Sequence, residues 1–256
     1  MIAAIVFFTA LMTCAMSSFL LCQRANKRST NSANSNVQLI DSTLTLIQLL
    51  QKHRGLGSQQ SGVVAVQREQ IASEVDHRLR GSAIHAAELA YLQSEWSQLK
   101  RKPADFDGHS ALIKHLLGII EILANRVSGD AHDARSIIAD RCRALEDLAR
   151  LRGLSTRAAQ FPQCPIELKV QLKYLCENLH GSDLQRDRST LRIALKEINE
   201  QMLDAVRTTI SPTRCFDMLT PIVDSALSEI RSSIHALRPS RSAPLRWTAP
   251  LCDGNR

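Results

Sequence analysis

The stretch Ile47–Ser58 reads IQLLQKHRGLGS, and a similar stretch, LEDLARLRGLST, occupies Leu145–Thr156, 98 residues further along the chain. In both, apolar residues recur at steps of three and four, which is typical of an amphipathic helix with one buried face. The register places Arg54 and Arg152 on the same face as the apolar residues. The sequence therefore predicts two related helices, each carrying an arginine that points into the core.

An arginine on a buried face requires a partner, because its guanidinium keeps its charge in a protein. Water, a carboxylate or a bound anion can serve. The carboxylates considered for a structural ion pair are Glu88, Asp107, Glu146 and Asp217. The sequence leaves open whether a carboxylate or an anion is the partner. The glycines that follow the arginines, Gly55 and Gly153, are predicted to end their helices as C-caps, with close approach of an anion to the backbone as the alternative.

A second phrase also repeats. Phe106–Ile113 reads FDGHSALI and matches Phe216–Val223, FDMLTPIV, 110 residues later. Ser110 and Thr220 stand where a helix N-cap is expected, and Pro221 suits a first helical position. The alternative is that the second phrase lies within one continuous helix. Either way, both repeated phrases occur twice and in the same order.

Composition favours an all-helical protein. The 256 residues are 44% apolar and include only 10 glycines and 8 prolines, and strand-like alternation is scarce. The net charge of +7 is spread along the chain, and aromatic residues make up only 4%. Stacking platforms for bases are therefore few, and nucleic acid is not an expected partner.

The repeated phrases and about eight helical stripes predict two copies of a helical unit. The copies span about 37–129 and 131–238, and each is expected to form a four-helix bundle. A polar linker is predicted at 29–36. The tail at 239–256, rich in proline, serine and arginine, is predicted to be disordered.

No motif in the chain predicts catalysis. A phosphate loop, an HExxH sequence and a GxSxG sequence are all missing. The seven cysteines are scattered, and neither they nor the eight histidines have the spacing of metal ligands. We therefore expect no enzymatic activity, no metal and no cofactor, and we expect the cysteines to be reduced thiols.

The N-terminal segment Ile2–Cys22 contains 21 consecutive uncharged, mostly apolar residues. That length can cross a bilayer core of about 30 Å as a helix. The basic residues Arg24, Lys27 and Arg28 follow the segment rather than precede it, which favours an anchor over a cleaved signal peptide. The positive-inside rule then predicts that residues 1–28 anchor the chain in the inner membrane as a single pass, with the remainder in the cytoplasm.

Over residues 37–238 the chain resembles the bacterial nitrate- and nitrite-sensing domain family. The resemblance rests on four short motifs in a fixed order: Gln51-x-x-Arg54-Gly55-Leu56, Phe106-x-x-x-Ser110, Leu151-Arg152-Gly153 and Phe216-x-x-x-Thr220-x-x-Val223. It implies two four-helix bundles that hold nitrate between them through arginines. Arg54 and Arg152 match the motif arginines. The family can carry a second arginine where this chain has His53, a departure that affects the affinity or the choice of anion.

The chemistry of the arginines agrees with this resemblance. A guanidinium presents donors in a planar fork that fits two oxygens of a planar anion, which lysine cannot do. His53 is a candidate neutral donor to the anion. Arg207 and Arg214, near the start of the last predicted helix, are candidates for a third guanidinium.

The sequence thus predicts a membrane-anchored sensor of nitrate or nitrite that signals to a separate, unidentified protein. The alternative is the same fold without a ligand, acting as a membrane-tethered helical adaptor. A homodimer is compatible with both interpretations, and the membrane lipid would be contacted through residues 2–22.

Overall fold

A computed structural model describes residues 31–57, 62–128, 132–181 and 188–236. The predicted membrane anchor and the predicted tail at 239–256 lie outside these ranges. In the ranges that are described, none of the helices has the length and apolar character needed to cross a membrane.

The described residues form eight α-helices, and no strand occurs among them. The first, α1, is helical over 31–56. The others are α2 (Gly62–Arg80), α3 (Ala86–Arg101), α4 (Phe106–Ser128), α5 (His132–Ala158), α6 (Ile166–His180), α7 (Arg188–Ile198) and α8 (Pro212–Ala236). A π-helical turn, Asn199–Leu203, continues α7. The all-helical prediction is confirmed, with four helices in each predicted repeat.

Residues 35–237 form one compact unit with a continuous hydrophobic core. Helix α5 packs against α4, α6 and α8. Side chains of α1 reach both α5 and α8, through Arg54 to Glu146 and through Arg231 to Asp41. Helices α1, α4, α5 and α8 therefore surround the middle of the unit.

Contacts among these four helices are mirrored between the repeats. Arg231 of α8 donates a hydrogen bond from Nη2 to Oγ1 of Thr45 in α1 over 2.8 Å. Thr45 corresponds to Arg143 of α5, 98 residues later, and Arg231 corresponds to Glu121 of α4, 110 residues earlier. Arg143 and Glu121 form an ion pair over 3.0 Å. Helix α1 thus corresponds to α5, and α4 corresponds to α8, by an approximate two-fold relation.

The starts of α4 and α8 correct the predicted caps. Asp105 Oδ1 accepts a hydrogen bond from the Gly108 amide over 2.8 Å, and Ser211 Oγ accepts one from the Arg214 amide over 3.1 Å. Asp105 and Ser211 are therefore positioned to satisfy free amides at the first turns.

Ser110 and Thr220 lie inside α4 and α8 and are not N-caps. Pro212, rather than Pro221, begins α8, and Pro221 lies in its interior. The alternative of one continuous helix through the second phrase is the correct one.

Two further expectations about helix ends were wrong. Gly153 does not end its helix, since α5 continues to Ala158, and Gly55 lies within the last turn of α1 rather than beyond it. Residues 31–36, expected in a linker, are helical. Once Val37 and Ile40 are buried, extending a formed helix toward its N-terminus gains one hydrogen bond per residue, which outweighs the weak propensity of serine and asparagine.

Candidate functional site

The arginine of the first repeat is buried and is paired with a carboxylate. Arg54 is only 3% exposed. Its Nη1 donates to Glu146 Oε1 over 2.5 Å and to Ser110 Oγ over 2.8 Å, and its Nη2 donates to Glu146 Oε2 over 3.3 Å. Gln51 Nε2 donates to the same carboxylate, at Oε2, over 3.0 Å. Glu146 of α5 therefore neutralises Arg54 of α1 in a two-oxygen ion pair.

The arginine of the second repeat has a different environment. Arg152 is 1% exposed, and its one side-chain hydrogen bond among the described residues runs from Nη1 to Thr220 Oγ1 over 3.3 Å. In the described part of the chain it has no ion-pair partner. Its Nε has no hydrogen-bond partner among the described residues, which is also true of Arg54 Nε. Arg152 is therefore a buried cation without a bonded carboxylate, an arrangement that costs free energy unless an anion compensates it.

The two arginines occupy matching positions on aromatic rings. The Cζ of Arg54 lies 4.7 Å from the ring centre of Phe106, and that of Arg152 lies 5.0 Å from the ring centre of Phe216. These are cation–π distances. Ser110 Oγ also donates to the Phe106 carbonyl, and Thr220 Oγ1 donates to the Phe216 carbonyl, over 2.9 and 2.7 Å. Each hydroxyl therefore sits beside the arginine of its own repeat.

Gly55 and Gly153 each lie beside a phenylalanine of the other repeat. A Cβ on Gly153 would lie 2.8 Å from Cε2 of Phe106, the ring under the other repeat's arginine. A Cβ on Gly55 would lie 3.6 Å from Cε2 of Phe216. Each phenylalanine thus touches the arginine of its own repeat and the glycine of the other. We call Arg54, Phe106, Ser110 and Glu146 the first half of the arginine cluster, and Arg152, Phe216 and Thr220 the second half.

The charged groups of the first half act on Arg152 in the second half. Burial, first of all, lowers the pKa of Arg152 from 12.5 to about 10; the charge of Asp224 opposes this shift, the charge of Arg54 adds to it, and Glu146 opposes it. Asp224 is exposed, and it forms no ion pair with Arg152 in the part of the chain that the structure describes. The positive charge of Arg152 is therefore destabilised by its surroundings.

His53 is 1% exposed and lies next to the first half. His109 Nδ1 is 2.5 Å from the Asp105 carbonyl oxygen, which can only accept, so Nδ1 carries a proton. With His109 neutral, its Nε2 accepts a hydrogen bond from His53 Nδ1 over 2.8 Å. Burial lowers the pKa of both rings, that of His53 to about 3. His53 is thus a neutral donor whose Nδ1 proton goes to His109, and its predicted donation to an anion stays a prediction.

The other predicted guanidinium positions are not brought to the cluster. Arg214 forms a two-oxygen ion pair with Glu197, with Nε and Nη2 each 2.9 Å from an oxygen, and its side chain is 57% exposed. Arg207 is exposed in the segment between the π-helical turn and α8. Both lie at the surface, whereas the arginine cluster is buried.

Glu146 was one of four carboxylates that the sequence left open as a partner for an inward arginine. Of the others, Glu88 pairs with His115 over 2.7 Å, and Asp107 and Asp217 are exposed. Sequence reasoning missed His109, and it placed Gln51 in a motif without assigning it a role in the site. His109 could have been found from its place one residue before Ser110 in the repeated phrase.

The arginine cluster is closed in this structure. A groove of about 370 Å³ lies between the start of α1 and the α2–α3 connection, lined by residues from Ser35 to Ile84, and neither Arg54 nor Arg152 borders it. Within the described ranges no group of histidine, cysteine, aspartate and glutamate side chains could hold a metal ion. The buried arginines are therefore the feature that best suits a ligand, and that ligand would be anionic.

Fold and site together define an all-helical protein with two repeat-related arginines buried at its centre. No protein-family model matches the chain, and no curated protein matches its sequence. Among solved structures, the chain is similar to that of the NasR transcription antiterminator, with a TM-score of 0.52 and 14% sequence identity. The match covers 88% of this chain and 75% of that chain. At this identity the similarity shows a shared fold alone.

Proposed function

We propose that this protein is a sensor that binds nitrate or nitrite between its two repeats, each of which acts as a four-helix bundle. The observation that carries the proposal is Arg152, a buried guanidinium with no carboxylate bonded to it in the described structure. The resemblance of the sequence motifs to the nitrate- and nitrite-sensing family, and the fold shared with NasR, support the choice of anion.

The physical argument concerns the difference between free and bound states. Arg54 and Arg152 belong to different repeats and repel each other, as the effect of Arg54 on the pKa of Arg152, secondary to burial, indicates. A planar anion with three acceptor oxygens would bridge the guanidiniums and remove this repulsion. The ligand would thus stabilise the arrangement in which the repeats are close, and a ligand can shift an equilibrium only through such differential binding.

The test is anion-dependent stability of the full-length chain in detergent micelles. Nitrate and nitrite should raise the melting temperature, whereas chloride at equal ionic strength should not. Ligand at a hundred times its dissociation constant should add about 2.7 kcal/mol to the free energy of unfolding. Equal responses to all monovalent anions would indicate screening of charge and would contradict the proposal.

We further propose that residues 2–22 anchor the protein in the inner membrane and that the helical part is cytoplasmic, signalling to a separate protein. The support is the apolar length of the segment and the position of Arg24, Lys27 and Arg28 behind it. A reporter that works only in the periplasm, fused after Arg256, should be silent. An active reporter, or a mature N-terminus near Gln23, would contradict this topology.

One observation favours the adaptor alternative for part of the cluster. Arg54 already has a carboxylate in Glu146, so its burial can be explained by architecture alone. The anion experiment separates the two functions, because an adaptor that uses both arginines structurally would show no nitrate-specific stabilisation.

A further inference from the structure

The two-fold relation between the repeats predicts where a carboxylate for Arg152 would have to lie. Glu146 stands six residues before Arg152 on α5, and it pairs with Arg54 of α1. The equivalent position on α1, six residues before Arg54, is residue 48. A carboxylate there would face Arg152 as Glu146 faces Arg54. The residue at that position is Gln48, which is uncharged.

A second difference reduces the size of the side chain at an equivalent position. In the first half, Gln51 holds the Glu146 carboxylate through a hydrogen bond of 3.0 Å. The residue equivalent to Gln51, 98 positions further along, is Ala149, which is 2% exposed. Both groups that fill the first half with protein atoms are therefore replaced in the second half, one by a neutral side chain and one by a much smaller one.

The neighbours of Gln48 agree with this position. Gln48 Nε2 donates to Asp224 Oδ1 over 3.3 Å, and Asp224 is among the charges that act on Arg152. Gln48 therefore lies on the side of α1 near Arg152, and its amide points to α8. Because Asp224 is exposed, water weakens the effect of its charge on the buried Arg152.

The charge of the buried groups predicts the class of ligand. Arg54, Arg152 and Glu146 are all less than 10% exposed, and together they carry one net positive charge. One monoanion would neutralise the cluster, whereas a dianion would leave a buried negative charge. An unpaired buried charge is strongly unfavourable, so the cluster should select monoanions over dianions such as sulfate.

We propose that the arginine cluster is a two-fold anion site whose first half is permanently occupied by the Glu146 carboxylate. Gln48 and Ala149 leave the second half without such a carboxylate, so that Arg152 can bind one monoanion. The inference rests on the proposed function and deepens it, because it assigns the binding half and the residues that determine its charge and size. Glu146 acts as a tethered counterpart of the ligand, and the oxygens of the bound anion would take the place that a glutamate at residue 48 would occupy.

The first experiment introduces a carboxylate into the second half. Gln48→Glu, combined with Asp224→Asn to remove repulsion between two carboxylates, should place a carboxylate on Arg152. The melting temperature without ligand should rise, and nitrate affinity, measured by calorimetry on the full-length chain in micelles, should fall at least about tenfold. Unchanged nitrate affinity in a folded variant would overturn the proposal.

The second experiment opens the filled half. Glu146→Gln leaves two buried guanidiniums and no carboxylate between them. Its melting temperature without anion should fall, and nitrate should raise it by more than in the unmodified protein. Sulfate should have no effect on the unmodified protein and should stabilise this variant. If sulfate has no effect on this variant, the charge assignment is wrong.

A control variant and a backup variant accompany Glu146→Gln. Glu229→Gln removes another carboxylate that joins α5 to α8, where Arg141 Nη2 lies 3.4 Å from Glu229 Oε1, outside the arginine cluster. It should leave the nitrate and sulfate responses unchanged. If Glu146→Gln does not fold even in nitrate, Glu146→Asp provides the backup test, because it shortens the side chain by one methylene but keeps the net charge of the cluster. Sulfate should then have no effect on this variant, and stabilisation of Glu146→Asp by sulfate would overturn the charge assignment.

The outcomes also separate this inference from the proposed function. If the unmodified protein binds neither nitrate nor nitrite, the proposed function fails, and an anion response that arises only in Glu146→Gln would still support Glu146 as the occupant of the first half. If the unmodified protein binds nitrate and Glu146→Gln responds no differently, the sensor proposal stands and the inference is overturned.

Discussion

The two halves of the arginine cluster share one backbone plan and differ in their charge balance. In both, an arginine lies over a phenylalanine and donates to a hydroxyl one helical turn further along. In the first half the arginine is neutralised by Glu146, and in the second half Arg152 has no ion pair among the described residues. A repeated architecture can therefore supply one half as structural support and leave the other for a ligand.

The largest expected effect of this difference is on stability without ligand. Arg54→Met should destabilise the protein by about 3–5 kcal/mol, because it strands the Glu146 carboxylate in the core. Arg152→Met should change the free energy of unfolding by no more than about 1 kcal/mol, because it removes an unpaired charge and keeps most of the packing. Urea unfolding in nitrate-free buffer measures both. Equal destabilisation would mean that Arg152 has a partner of comparable strength.

The second prediction concerns ligand affinity. Arg152→Lys keeps the charge but removes the planar fork, and it should weaken nitrate binding by about 1.5–3 kcal/mol. Arg54→Lys should weaken binding less, because most donors of Arg54 already serve Glu146 and Ser110. The double variant should lose less than the sum of the single losses, since both residues would contact one ligand. Calorimetry on the three variants checks the order, and a greater loss for Arg54→Lys would contradict it.

The inward direction of both arginines was predictable, since helical spacing alone places them with the apolar residues. The partner of Arg54 was not, because the crossing of α1 and α5 decides which carboxylate comes within reach. The sequence spacing gave no reason to prefer any one candidate partner among Glu88, Asp107, Glu146 and Asp217. The same limit explains Gly153: its sequence context suits a helix end, but contact with Phe106 across the repeats requires a glycine within the helix.

The helix caps show a second limit. Ser110 and Thr220 have the chemistry of N-caps, yet their hydroxyls donate to carbonyls four residues earlier, inside continuous helices. Asp105 and Ser211 bind the first-turn amides instead. Short polar side chains suit both roles, so local sequence could not separate them.

The third prediction uses the buried histidine pair beside the first half. Burial, followed by the charges of His109 and Arg68, lowers the pKa of His53 from 6.5 to about 3. Between pH 3 and pH 6.5 the His53 ring is protonated in the unfolded chain but neutral in the folded protein. The contribution of neutral His53 to the free energy of unfolding is therefore complete above pH 6.5 and is lost as the pH falls. The loss from His53 should reach about 2 kcal/mol at pH 5.

His53→Gln should make the fall in stability between pH 7 and pH 5 shallower by about that amount, as measured by urea unfolding at each pH. His180→Gln, which changes an exposed histidine at the end of α6, serves as the control and should leave the slope unchanged. A slope unaffected by His53→Gln would show that the ring is protonated in the folded protein.

The smallest expected effect concerns the two glycines that cross between the repeats. In Gly153→Ala the new methyl group would lie 2.8 Å from Cε2 of Phe106, so the ring under Arg54 must shift. Overpacking of this kind costs about 1–3 kcal/mol, and the better helix propensity of alanine returns at most about 1 kcal/mol. In Gly55→Ala the nearest atom, Cε2 of Phe216, is 3.6 Å away, which is ordinary contact, so this change should be neutral or slightly stabilising. Thermal unfolding of the two variants, side by side, tests whether the halves differ in packing as well as in charge.

The same variant bears on where the ligand binds. Because Phe106 supports Arg54 rather than Arg152, Gly153→Ala should lower stability without abolishing nitrate binding. Loss of nitrate binding in a folded Gly153→Ala protein would place the ligand against the first half instead.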